Sequence, residues 1–277
     1  MSHRTAMNSR FNSFYQEDFH PFVTRFSEMF NEAQKRSNRP WWLTSLLGFW
    51  GANRRFDENN AFVRQFCADV LAHRRKQASN SNSESCSEKK REDVFSAMLN
   101  RKDPVTGKLL SDDMIIDNMI TALFAGHDTT EALISFFLAH LVMNPRCYRR
   151  VQDEVDAVVG KKGELRREHL DRLSYTRACM REALRLESPA QVLALTPTSD
   201  SGAPVVIGKG RYAIYPGQSA LILVPDLHRD PEVWGDDAEQ FRPERMLDDE
   251  FDKLPRNSYK PFGHGVRGCI GKLSPFL

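Results

Sequence analysis

Apolar side chains recur at helical spacing along most of this chain, and the places where they stop doing so divide it into elements. From Pro21 to Gln34 and again from Asp57 to Gln77 they return at every third or fourth position, which predicts two helices with one buried face each. The segment between them, residues 39–50, is crowded with tryptophan and leucine. It reads either as a flexible lip at a substrate entrance or membrane surface, or as a loop whose rings pack on the core. Residues 78–90 are polar and low in complexity and read as a mobile surface linker, and Asn100 to Gly107 carries turn residues. After the cap Ser111 and the acidic pair Asp112 and Asp113, nothing interrupts the helical pattern before Asn144-Pro145. That is a helix of about 30 residues, or about 45 Å. Helical spacing resumes from Pro145 to Val159 and from Ser174 to Leu186. The period then shortens: Val205–Ile207, Tyr212–Ile214 and Ser219–Val224 are β-type runs set off by Gly208, Gly210 and Pro216-Gly217. The pattern predicts a mainly α fold with small β-sheets.

Composition removes several function classes. A chain of 277 residues with a net charge of +2 holds one or two domains and offers no electrostatic case for nucleic acid. Its five cysteines are scattered, odd in number and without a CxxC pair, so neither a disulfide framework nor a zinc site is indicated, and a reducing compartment fits best. The first residues contain no apolar signal core, and no run reaches the ~18 apolar residues that span a bilayer. The expectation is a cytoplasmic chain with no transmembrane segment.

The chemistry concentrates near the C-terminus. Phe262-Gly-His-Gly-Val-Arg-Gly-Cys269-Ile-Gly271 sets one cysteine in a glycine-flanked loop behind an aromatic and an arginine. A thiolate on haem iron pushes electron density toward O–O cleavage, so such a loop suits oxygen activation. Gly265 and Gly271 allow backbone to lie close to a flat macrocycle, and Arg267 can meet a propionate. A helix starting just after Cys269 would stabilise the thiolate with its unpaired N–H groups. Taken alone, Cys269 reads as a buried free thiol rather than a ligand.

Three upstream segments bear on that choice. Phe124-Ala-Gly-His-Asp-Thr-Thr130 packs poor helix formers into the middle of the long predicted helix, which calls for a local reason. By themselves Asp128 and Thr129 read as a surface acid beside a threonine bonded back to its own helix. His127 and Glu131 share a face, but a catalytic metal needs a third ligand, and a solvated or core-lining pair is the simpler reading. Glu182 and Arg185 are an i, i+3 pair that on its own could be any surface ion pair. Phe241-Arg-Pro243-Glu-Arg245 follows farther on.

Taken together and in this order, these segments resemble the cytochrome P450 family. The cysteine loop matches Phe-x-x-Gly-x-Arg-x-Cys-x-Gly, residues 125–130 match the oxygen-activation motif, Glu182 to Arg185 is ExxR, and 243–246 resembles PERF with Met246 in place of its phenylalanine. The resemblance covers about residues 10–272. It implies a P450 fold, with Cys269 as axial ligand of a haem b iron. Arg267, Phe262, Gly263, Gly265, Gly271, Ala125 and Gly126 would lie against the cofactor, and Asp128 and Thr129 would be catalytic. Glu182, Arg185 and Arg245 would form a buried structural network. Residues 189–193 would enter the substrate pocket, or pack as strand. Within the family, Arg10 to Tyr15, His20-Pro-Phe22, Lys102 to Gly107 and 125–130 are most similar to self-sufficient fatty-acid hydroxylases. That similarity implies hydroxylation of an apolar substrate, a fatty acid, with NADPH electrons delivered through FAD and FMN of a reductase, fused or separate. Against the family pattern the chain reads as a partial haem domain over 1–277, lacking the N-terminal part and the end of the C-terminal part of the fold. The alternative expectation is therefore a non-catalytic remnant acting at most as a haem- or protein-binding fragment.

Overall fold

The computed structural model describes residues 20–40, 52–80, 94–197 and 202–273. The chain divides into two compact units, up to His127 and from Asp128 onward. The first contains α1 (Pro21–Asn38), α2 (Ala52–Asn80), α3 (Val94–Asn100) and the first half of α4 (Asp112–Met143). His20 starts α1 by accepting a hydrogen bond on Nδ1 from the Phe22 amide at 3.2 Å, and Pro21 at the first helical position has no N–H to satisfy. Val63, Cys67 and Leu71 form an i, i+4 stripe on α2. They pack with Phe22, Phe95 and the α4 residues Ile115, Ile116, Met119 and Leu123 into one core. Asn59 and Glu28 join α2 to α1 by a 2.9 Å hydrogen bond. Arg64 pairs with Asp113 and Asp117, and Arg75 with Asp112; these exposed bridges orient α2 along α4 and add little stability. Before α4, the Asp103 carboxylate accepts from the amides of Val105 and Thr106 at 3.0 and 2.6 Å, which closes the turn that the sequence places at Asn100–Gly107.

The second unit holds the rest of α4, then α5 (Pro145–Val158), α6 (Arg167–Leu170) and α7 (Ser174–Leu186). Two antiparallel strand pairs follow. β1 (Val192–Leu195) pairs with β4 (Ala220–Leu223) so that Val192 faces Leu223, and β2 (Val205–Ile207) pairs with β3 (Tyr212–Ile214) so that Val205 faces Ile214. Short helical pieces complete the unit: α8 (Val224–Leu227), α9 (Pro231–Trp234), α10 (Asp248–Phe251), and 3₁₀ turns at Pro243–Met246, Gly265–Arg267 and Ile270–Leu273. α7 is its centre. Tyr175, Ala178, Cys179 and the run Glu182–Leu186 are all buried.

The mainly helical architecture with small sheets agrees with the expectation. α2 runs longer than its apolar pattern, entering 78–90 as far as Asn80, and the remainder of that polar stretch lies outside the described residues, as do Arg10–Tyr15 and Trp41–Trp50. α4 is unbroken through Gly126, Thr129 and Thr130. β1 begins inside the segment 189–193 and takes Val192 and Leu193 into the strand. After Cys269 the chain forms a 3₁₀ turn, closed by the Lys272 amide on the Cys269 carbonyl at 3.3 Å. Among the described residues no helix is long and apolar enough to cross a membrane.

Candidate functional site

α7 owes its start to a residue on another helix. Leu173 precedes it without a capping side chain. Glu154 of α5 supplies the cap, accepting from the amides of Tyr175 and Thr176 at 2.7 and 2.8 Å and from the hydroxyls of Thr176 and Ser174 at 2.7 and 3.3 Å. A carboxylate at this end also meets the positive pole of the helix dipole. The cap fixes the phase of α7, and that phase turns Glu182 and Arg185 inward.

Both side chains are wholly buried and paired: Arg185 donates from Nε and Nη2 to the two oxygens of Glu182 at 2.8 and 2.9 Å. Its other N–H groups reach three backbone carbonyls, those of His228 at 2.8 Å, Ala238 at 2.6 Å and Gln240 at 3.2 Å. All five guanidinium donors are therefore used. Glu182 Oε1 also accepts from the Arg242 amide at 3.0 Å and from Arg245 Nε at 3.2 Å. Arg245 completes its contacts on the carbonyls of Trp234 and Asp237 at 2.8 and 3.1 Å and on the Asp237 carboxylate at 3.1 Å. The three residues expected to form a network do so. Each charge is matched and each guanidinium clasps several carbonyls, an arrangement that converts a desolvation cost into a fixed path for residues 228–245. An open groove of about 670 Å³ runs beside Arg245, lined among others by Trp234, Arg242, Lys253 and Leu254, and no residue of the cysteine loop lines it.

The cysteine loop itself is held by backbone. The Cys269 amide donates to the Phe262 carbonyl at 2.9 Å and the Gly268 amide to the Gly265 carbonyl at 3.0 Å. Gly263 and Gly265 sit at φ +66° and +68°, a region that L side chains enter at a cost, while open space surrounds both positions. Conformation, rather than crowding, calls for glycine at these two sites. At Gly271 a Cβ would stand 3.4 Å from the Cys269 sulfur, so glycine there leaves that flank of the thiol open. Cys269 is an exposed free thiol; Cys67 and Cys179 are buried, and Cys147 is half-buried. Burial pushes the Cys67 thiol up to about 12 and raises Cys179 as well, so neither is suited to act as a thiolate. Val266, three residues before Cys269, and Ile270, the residue after it, are bare apolar side chains, and Arg267 is exposed. An accessible thiol, glycines at 263, 265, 268 and 271, bare apolar side chains and an exposed cation in one loop fit a flat apolar group that carries carboxylates.

On α4, Ala125, Asp128 and Thr129 are exposed and Gly126 is half-buried; no residue from Phe124 to Ala132 is buried. His127, Asp128 and Glu131 bring their ligand atoms within 4.8 Å of one another on this exposed stretch. Two contributors of the second unit carry no local sequence signature: Glu154, and the wholly buried His228, whose partners are 43 and 32 residues away.

The cytochrome P450 family model matches residues 1–273, and the chain belongs to that family. Family membership implies a haem iron. The chain is 42% identical over 268 residues to a bifunctional cytochrome P450/NADPH–P450 reductase of Acremonium egyptiacum, a match that takes in 96% of this chain and 24% of that protein. It is 40% identical over 268 residues to a self-sufficient cytochrome P450 monooxygenase of Oidiodendron maius, covering 96% and 23%. A bifunctional P450/reductase of Fusarium oxysporum is 40% identical over 270 residues, covering 96% and 24%. The chain spans about a quarter of the length of the curated relatives it matches.

Proposed function

We propose that this chain is haem-binding sequence of a monooxygenase that hydroxylates an apolar substrate, a fatty acid, using electrons passed from NADPH through the FAD and FMN of a reductase. The observation that carries this reading is the exposed Cys269 thiol, in a glycine loop flanked by bare apolar side chains, in a chain of this family. The relatives' names, which join a P450 to an NADPH–P450 reductase, support the electron route. The fatty-acid assignment rests on the motif likeness in 10–22, 102–107 and 125–130.

Haem with a thiolate ligand supplies the cleavage of dioxygen that C–H hydroxylation needs. Cys269 Sγ is the ligand atom, Arg267 the partner of a propionate, and Phe262, Gly263, Gly265 and Gly271 shape the surface that receives the ring. On the family resemblance, Ala125 and Gly126 are small enough to face the haem. The Asp128 carboxylate takes a proton from water and passes it to Thr129 Oγ1, which hands it on without offering a competing nucleophile. Glu182, Arg185 and Arg245 act only by holding backbone.

The test is to express residues 1–277, supply haem and record the reduced carbonyl spectrum. The red-shifted Soret band of a thiolate complex is expected, and is expected to vanish in Cys269→Ala. A folded, haem-loaded chain without that band, or a Cys269→Ala variant that keeps it, overturns the assignment. Peroxide-driven turnover of a saturated fatty acid addresses the substrate, with hydroxylated acid expected and none formed in Cys269→Ala.

A further inference from the structure

His228 follows α8, is wholly buried, and touches both the Arg185 end of α7 and the approach to the cysteine loop. Its ring nitrogens have chemically opposite neighbours. Nε2 lies 2.8 Å from the backbone nitrogen of Lys260, which can only donate, so Nε2 accepts. Nδ1 lies 3.2 Å from the carbonyl oxygen of Arg185, which can only accept, so Nδ1 carries the proton. The ring is stacked on Tyr259 at 5.2 Å and 20°, and the Tyr259 hydroxyl donates to the Arg181 carbonyl at 3.1 Å. A continuous chain of bonds results: the Arg185 carbonyl, the imidazole, the Lys260 amide, then two peptide units to the Phe262 carbonyl that receives the Cys269 amide at 2.9 Å.

We propose that His228 is a positioning residue, a neutral clamp that pins the entry of the Cys269 loop to the last turn of α7 and releases it on protonation. That this placement matters to a haem ligand rests on the function proposed above; the clamp itself does not. A second ring proton would sit on Nε2 and face the Lys260 N–H, donor against donor. The charged surroundings do not welcome it. From α7 come Arg185, whose guanidinium also holds the His228 carbonyl, and Glu182, already committed to Arg185 and Arg245. Arg229 is adjacent and engages Glu187 at 3.8 Å and Glu239 at 2.9 Å. Residues 259–260 bring a stacked phenol and a lysine, Asp226 lies in α8, and Asp230 caps α9. Burial first, then the charges of Arg185 and Arg229, lower His228 to about 4 against the opposing bond to the Arg185 carbonyl. The unfolded chain takes up this proton near 6.5 and the folded one only near 4, so the clamp's contribution to stability is full above 6.5 and is lost as pH falls between those values, while in the folded chain the ring stays neutral until near 4.

The experiment is hydrogen exchange of the Lys260 amide and the imidazole nitrogen shifts, by NMR on the full ¹⁵N-labelled chain from pH 7 to 4. Wild type, His228→Gln and His228→Asn are compared. Glutamine reaches the Nε2 position and keeps an acceptor for Lys260; asparagine reaches only the Nδ1 position. Expected are a neutral Nδ1–H ring at pH 7, Lys260 protection retained in the Gln variant, and protection reduced about tenfold or more in the Asn variant, the equivalent of one lost hydrogen bond. A ring titrating near 6.5, or Lys260 protection unchanged in the Asn variant, overturns the clamp. Should the Asn variant fail to fold, the wild-type titration alone decides. Carbonyl spectra of the same haem-loaded samples separate the two claims. Loss of the thiolate band in the Asn variant but not in the Gln variant supports the link to the cysteine. The absence of that band in wild type with the exchange results intact refutes the haem reading and leaves the clamp standing.

Discussion

Replacing Glu182 with alanine removes one acceptor group and leaves four donated hydrogen bonds without a receiver: two from Arg185 and one each from the Arg242 amide and Arg245 Nε. Spacing alone suggests an i, i+3 surface pair worth a few tenths of a kcal/mol. Burial decides otherwise. Both partners are at 0% exposure, and removing one member of a buried pair leaves a charge with neither water nor counter-ion, at a cost of about 3–5 kcal/mol. Against a typical domain stability of about 5–15 kcal/mol that is at least about a fifth of the total. Glutamine at the same position keeps one acceptor oxygen but turns an amide donor toward a guanidinium, and should cost about half as much. The assay is urea unfolding followed by circular dichroism on the full chain, with equal slopes required before midpoints are compared, together with haem retained per chain. A Glu182→Ala variant that loses less than about 1 kcal/mol, or that keeps wild-type haem, refutes the argument that burial makes this pair structural.

The cap on α7 gives a smaller effect: Glu154→Ala should destabilise by about 1–2 kcal/mol, with faster exchange confined first to the amides of Tyr175 and Thr176, and unchanged exchange there would refute the cap. Gly265→Ala forces a side chain into a left-handed backbone at φ +68° and should cost about 1–2 kcal/mol by the same unfolding assay, although open space surrounds the new methyl. Among the four cysteines of the described residues, maleimide labelling of the native chain followed by peptide mapping should modify Cys269 first and Cys67 and Cys179 last, because the latter are buried and their thiols are pushed up.

What could be read in the sequence was whatever is carried by local pattern. α7 begins at Ser174 and ends at Leu186, and β2 and β3 fall at 205–207 and 212–214, where the change of period and the glycines place them. α2 outruns its apolar stripe at both ends because polar residues such as Arg54 and Glu58, paired at 2.8 Å one helical turn apart, continue a helix without burying anything. α9 had a legible signal in Asp230-Pro231: the Asp230 carboxylate accepts from the Glu232 amide at 3.0 Å. The network was legible as residue types in family order, but its strength was not, since Arg185 depends on carbonyls of residues 228, 238 and 240 that no side-chain pattern announces. Glu154 and His228 were silent for the same reason. A carboxylate on one helix and an imidazole in a turn acquire meaning only from distant backbone.

The reach of Arg185 also sets an order of events when the chain is made. Glu182 is in place as soon as α7 forms, but the carbonyls that complete the guanidinium lie 43 to 55 residues later, and Arg245 lies 63 residues after Glu182. Until that stretch has been synthesised the ion pair must stay wet, because burying it early would strand its donors, so α7 cannot be sealed by local contacts and its closure waits on loop formation. The residues that make the centre of this unit rigid are the ones that keep it open longest during synthesis.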